Sequence, residues 1–210
     1  IFTTFDWQSL WWHHYGAGRS LKLLLAETAE TGEVVGILPL YLQQLTLLHY
    51  PVNVLRFVGC GGDTSPDDLG PLIHRDHEAE VARALAKGVR DLGGWDVLLL
   101  SDMPPEHVFT KEMTEVARAG RLRLQTGRSE RISLLKLPST WEAWLASVHR
   151  DRRYRVRKAR KNLLEAYPKA RFFVWDDKST LHAGIDRLAA LHCKRWQRVG
   201  EPHGFSTPEY

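Results

Sequence analysis

The sequence predicts a mixed α/β (α+β) layered fold whose central sheet is mostly antiparallel. Three observations carry this. Strand and helix periodicities alternate along residues 1–138, so sheet and helices must pack as layers. The first two strand patterns are separated only by a short polar turn, which favours a hairpin. The composition is globular, 43% hydrophobic and 26% charged over 210 residues. That excludes disordered, collagen-like and coiled-coil chains.

The elements follow in order. Asp6 can cap a helix running to Tyr15, with Trp7, Leu10, Trp11 and Tyr15 at helical spacing and Gly16 and Gly18 ending it. Leu21–Ala26 and Val34–Leu42 are strands joined by the polar turn Glu27–Glu33. Pro39 lacks an N–H, which argues for an edge position or a bulge. Val54–Val58 is a third strand, running into the loop Gly59–Asp63. Leu69–Ile73 is a fourth, after the acidic turn Ser65, Pro66, Asp67, Asp68. Glu78–Leu92 is an amphipathic helix with Val81, Leu85 and Val89 on one face. Trp95–Leu100 is continuously apolar, the pattern of a strand in a sheet interior.

A helix over Pro105–Ala119 comes next, then strands at Arg121–Gln125 and Arg131–Leu137. Ser139 with Glu142 makes a capping-box pattern opening a helical region, with a possible break, to about Ala166. A strand at Arg171–Trp175 and a helix bearing the stripe Leu181, Ile185, Leu188, His192, Trp196 and Val199 close the series.

The charge is concentrated. Between His149 and Asn162 eight basic residues oppose Asp151 alone, a surplus of +7 in a chain whose net charge is +4, so the remainder carries −3. Val156, Ala159, Leu163 and Ala166 share one face of this helix, while Arg153, Arg157, Arg160 and Lys161 project elsewhere. Like charges at this density oppose helix formation. Two readings fit: an anion site for phosphates of a cofactor, a lipid- or nucleotide-linked substrate, RNA or a membrane surface, or a solvated face.

Other chemistry is sparse. Trp7, Trp11 and Trp12 can line an apolar pocket or belong to the core. Asp63, Asp67 and Asp68 can bind a cation or orient an amine, or simply form a turn. The glycine loop lacks the spacing of a dinucleotide fingerprint and the lysine of a P-loop. Cys60 and Cys193 make neither a disulfide framework nor a metal set, His13 and His14 have no metal spacing, and Cys193 beside His192 faces another way on its helix. No metal is expected. Apolar runs such as Val97–Leu100 are too short to span a bilayer. The absence of a signal peptide fits a cytoplasmic protein, with peripheral contact at the inner membrane face an option. The chain opens at Ile1 rather than Met and reads as a piece of a longer polypeptide.

The ordered set FDWQSLWWHHYG, LKLLLAETAETGEVVGILPLYLQ, LRFVGCGGDTSPDDLGPLI, WDVLLLSDMP, LPSTWEAWLASVHRDRRYRVRKARKNL and LAALHCKRWQRVG resembles the CelD-like and FemAB-like branch of the GNAT acyltransferase superfamily. The resemblance covers essentially the whole chain. It lies in the order of the pieces rather than in one strict motif. It implies two GNAT-like folds in tandem, residues 1–138 forming the first and 139–210 starting the second, the acyltransferase module. It further implies transfer of an acyl group, with acetyl-CoA or another acyl-CoA serving as donor, to an amine in bacterial polysaccharide or cell-envelope biosynthesis. The acceptor would be a small-molecule or a lipid- or nucleotide-linked amine. The substrate-binding surface expected on this reading comprises Trp11, Trp12, Asp63, Asp67, Asp68, Arg152, Arg153, Arg157 and Trp196, with no catalytic group assigned. The Q/R-x-x-G-x-G/A pyrophosphate loop usual in that superfamily is not found in these residues, so weak or no acetyl-CoA binding is expected of them. FemAB-like relatives use aminoacyl-tRNA as donor, a second reading. A non-catalytic GNAT-like domain that binds through Arg150–Lys161 is a third.

Overall fold

The computed structural model describes residues 1–62, 64, 66–127, 132–200 and 205. The chain divides into two compact units, residues 1–126 with 192–210, and residues 127–191.

The first unit is an α+β layer structure. It opens with α1 (Phe5–Tyr15), capped by Thr4, whose hydroxyl accepts the Trp7 N–H. Asp6, expected as the cap, sits one residue inside the first turn. The sheet follows as β1 (Ser20–Glu27), β2 (Val34–Leu47), β3 (Tyr50–Phe57), β4 (Leu72–Ile73) and β5 (Val97–Leu99). Its order is β1-β2-β3-β5, with β4 also on β2. All pairs are antiparallel except β3–β5.

The expected β1–β2 hairpin forms, with Leu23 opposite Pro39. Yet Pro39 lies on the central strand, not at an edge. In an extended strand the N–H and C=O of one residue point to the same side. The Pro39 carbonyl accepts the Val58 N–H at 3.1 Å, so its missing donor faces that side too. There β2 changes partner, from β4 at Gly36–Ile37 to β3 from Leu40 onward. The Val58 carbonyl, which a donor at Pro39 would have served, accepts the Gln8 side-chain amide at 3.2 Å instead.

Strand lengths differ from the sequence expectation. β2 continues past Leu42 to Leu47 and turns through Leu48 and His49, both at positive φ (48° and 72°), into a β3 that starts at Tyr50. β1 pairs with β2 only as far as Leu42, and β5 meets β3 only at Val54–Arg56. Residues 43–52 therefore form a two-stranded arm whose Leu45, Leu47, Leu48 and Tyr50 are exposed. β5 is an edge strand rather than a sheet interior, with Val97 and Leu99 over 40% exposed. Leu98 and Leu100 pack against the core, while Val97 and Leu99 on the other face stay exposed, so the run is covered on one side only.

The core lies between the sheet and α2 (Glu78–Leu92), with α3 (Val108–Ala119) packed on α2. Leu38, Leu40, Leu55 and Phe57 meet Val81, Leu85, Ala86 and Val89, and Phe109 and Met113 close the layer. Gly36 is the point of closest approach: a Cβ there would run into the Val81 side chain and the Ala26 methyl. α1 packs on the opposite face of the sheet, where Trp11 and Trp12 meet the ring of Tyr41.

The second unit contains α4 (Trp141–Ser147) and α5 (Arg150–Ala166), and α6 (Leu181–Val199) begins in it. Thr140, not Ser139, caps α4, accepting the Ala143 N–H at 3.1 Å. The break between α4 and α5 falls at Val148, and the His149 imidazole accepts the Asp151 N–H at 3.4 Å. Three expected strands are not formed. Residues 121–127, 132–138 and 171–177 lie in neither helix nor sheet, and Arg131 lies outside the described residues. Leu134 and Phe172 are more than 90% exposed. Alternation gives these segments strand propensity, but no strand among the described residues pairs with them. No helix among the described residues is long and apolar enough to cross a membrane.

Candidate functional site

α5 is built of RDRRYRVRKARKNLLEA and has no buried residue. Val156 is half-buried, whereas Ala159 and Leu163, expected to face inward, are exposed. Arg153, expected outward, turns in: its guanidinium donates to the carbonyls of Ala146 and Val148 at 3.1 and 3.2 Å. It thereby closes the C-terminal end of α4, where unsatisfied carbonyls favour a cation. The other cations have few partners. His149 lies 3.7 Å from Asp151 and Lys161 3.6 Å from Glu165, both exposed. Arg150, Arg152, Arg155, Arg157 and Arg160 make no ion pair among the described residues. Arg157, Arg160 and Lys161 line a shallow groove with Leu164 and Glu165. Such a groove can hold a phosphate-bearing ligand by charge, with Leu164 offering apolar contact.

The other expected site residues are spread out. Trp11 is 3% exposed, stacked on Tyr15 and tilted against Tyr41, and its indole N–H donates to Thr64 Oγ1 at 3.0 Å. Trp12 is half-buried beside Tyr41, with its ring under Gly16. Asp67 and Asp68 are exposed, and Asp68 has a positive φ of 55°. Asp63 lies outside the described residues. Trp196 is half-buried on α6, its ring against His192 at 5.8 Å. The structure brings Arg152, Arg153 and Arg157 together on one helix, and Trp11 and Trp12 on another. Among the described residues no three His, Cys, Asp or Glu side chains gather to hold a metal ion.

The sequence expectation passed over a second group around Trp11. Arg19, the residue before β1, places its guanidinium 5.5 Å from the Trp11 ring and 5.3 Å from the Tyr41 ring. Arg56 is the cross-strand partner of Tyr41 and so shares its sheet face. The Tyr41 hydroxyl donates to the Cys60 carbonyl at 2.9 Å. Burial holds the Tyr41 phenol above its usual range, while Arg56 and Arg19 pull it down. A partial signal was available: Arg56 is the lone charge in the apolar run Val54–Val58.

These features define an α+β protein with a mostly antiparallel sheet and one strongly cationic helix. No family model, no curated protein and no solved structure matches the chain.

Proposed function

We propose that the chain serves N-acyl transfer of the GNAT type, from acyl-CoA to an amine whose carrier bears phosphate, in bacterial polysaccharide or cell-envelope biosynthesis. The ordered sequence resemblance supports the reaction class. The observation that carries the substrate class is the set of α5 arginines without an ion pair among the described residues. In this reaction the amine nitrogen attacks the thioester carbonyl, the C–N bond forms as the C–S bond breaks, and the proton lost by the amine nitrogen ends on the departing CoA thiolate, released as the thiol. No covalent enzyme intermediate is required. On this reading Arg157, Arg160 and Lys161 hold the phosphates of a lipid- or nucleotide-linked acceptor, and acyl-CoA is the co-substrate.

Calorimetry with a UDP-linked amino sugar at low ionic strength tests the site. Joint replacement R157Q/R160Q/K161Q should weaken binding at least about 10-fold, as loss of charge-assisted contacts predicts. Equal binding by both forms, or none by the wild type, would sink the α5 site. Release of CoA thiol from acetyl-CoA in the presence of the same amino sugar tests the chemistry. Binding without thiol release moves the reading to the non-catalytic alternative, a domain that recognises an anion through α5.

A further inference from the structure

We infer that Arg19 and Arg56 form a second anion site, on the α1 face of the sheet, whose ligand is a phosphate monoester. It lies in the first unit and does not depend on the reading of α5. Three observations lead to it. First, both guanidiniums are half-buried, yet neither makes an ion pair among the described residues. The Nε atom of each is shut off from solvent and has no hydrogen-bond partner among the described residues. A cation withdrawn from water without a partner is unfavourable, so the arrangement is incomplete as it stands.

Second, the two cations flank one side chain. Arg19 covers the Tyr41 ring, and Arg56 stands opposite Tyr41 in the neighbouring strand. Ring contact offsets part of the cost for Arg19 but leaves its charge in place. Both arginines pull on the Tyr41 phenol through charge, and two like charges gathered there repel each other.

Third, Gly61 leaves room for the arrangement. A Cβ at Gly61 would come within 3.0 Å of both Arg56 Nη1 and the Tyr41 hydroxyl oxygen, and φ there is +86°. The backbone thus approaches both polar groups where a side chain would crowd them.

The charge balance selects the ligand. Two guanidiniums with no counter-ion among the described residues carry two positive charges. A phosphate monoester carries about −1.5 to −2 near pH 7 and presents three oxygens to planar N–H forks. A carboxylate leaves one cation uncompensated.

Titration of the whole chain with phenyl phosphate, inorganic phosphate and benzoate tests this, followed by tryptophan fluorescence because Arg19 lies over Trp11, and by calorimetry. Phenyl phosphate and phosphate should bind more tightly than benzoate. R19Q and R56Q should each weaken phenyl phosphate about 10- to 100-fold, and R56K, which keeps the charge without the fork, by less than R56Q. R157Q/R160Q on α5 should change neither. Circular dichroism checks that each variant is folded; if R19Q does not fold, R56Q and R56K decide the matter. No phosphate binding by the wild type at millimolar concentration, binding unchanged in R56Q, loss only in the α5 variant, or preference for benzoate would each overturn the site.

Discussion

The imidazole of His107 accepts the Phe109 N–H at 3.1 Å and so caps α3. That bond needs an unprotonated Nδ1. Burial holds this imidazole below its ordinary value of 6.5, with Glu78 pulling the other way. The folded state then binds fewer protons than the unfolded chain, so stability rises with pH up to about 6.5 and is lost as pH falls from there through the folded-state value. The melting temperature should accordingly drop between about pH 7 and pH 5.5. His107→Asn, a cap that does not titrate, should flatten that interval; an unchanged profile would remove His107 as its source. Gly36 is a second single-residue control point. Gly36→Ala should cost about 1–3 kcal/mol by overpacking against Val81. Urea denaturation measures it, and Val81→Ala in the same chain should show favourable coupling in a double-mutant cycle.

The β2–β3 turn sets the register of the sheet's centre, because Leu47 and Tyr50 pair directly across two residues. Both linking residues have positive φ, the pattern of hairpin turns that favour Asn-Gly. Leu48 and His49 suit it poorly. Leu48→Asn with His49→Gly should stabilise the chain by about 1 kcal/mol, seen as roughly 2–4 °C in Tm; a fall in Tm would show that these side chains do more than link the strands. Here the sequence was hard to read. A turn of Leu-His carries no glycine, asparagine or proline signal, so the apolar run past Leu42 hides it. The α2 helix was readable because the step of Val81, Leu85 and Val89 matches the face that the sheet covers. Segments 132–138 and 171–175 alternate like strands, but alternation supplies only half of a sheet; a partner strand supplies the rest, and no sequence window contains it.

Across the whole chain, charge separates from core. Among the described residues the sheet unit holds every buried apolar side chain except Leu145 of α4, and residues 150–161 of α5 carry a +7 surplus over a −3 remainder. Repulsion along α5 is screened as salt rises, the screening length falling from about 30 Å at 10 mM to about 8 Å at 150 mM. The helical signal at 222 nm should rise over that range, and more with sulfate than with chloride at equal ionic strength. Indifference to salt would mean that the α5 charges are already compensated. The basic helix was plain in the sequence because it is a local composition. The Arg19–Arg56 pair was not, since it joins residues far apart in the chain through the register of two strands.

β2 is pinned unevenly along its length. Around Leu38–Tyr41 it lies in the core, with partners on both sides. Beyond Gln43 a single ladder to β3 holds it, with exposed leucines and Tyr50 at the far end. One strand thus spans a gradient of local free energy. Its outer amides can open and exchange with solvent while the inner ones wait for global unfolding. Within the sheet, the arm is where a protease first finds the backbone, and where a cut would leave the core of the sheet assembled.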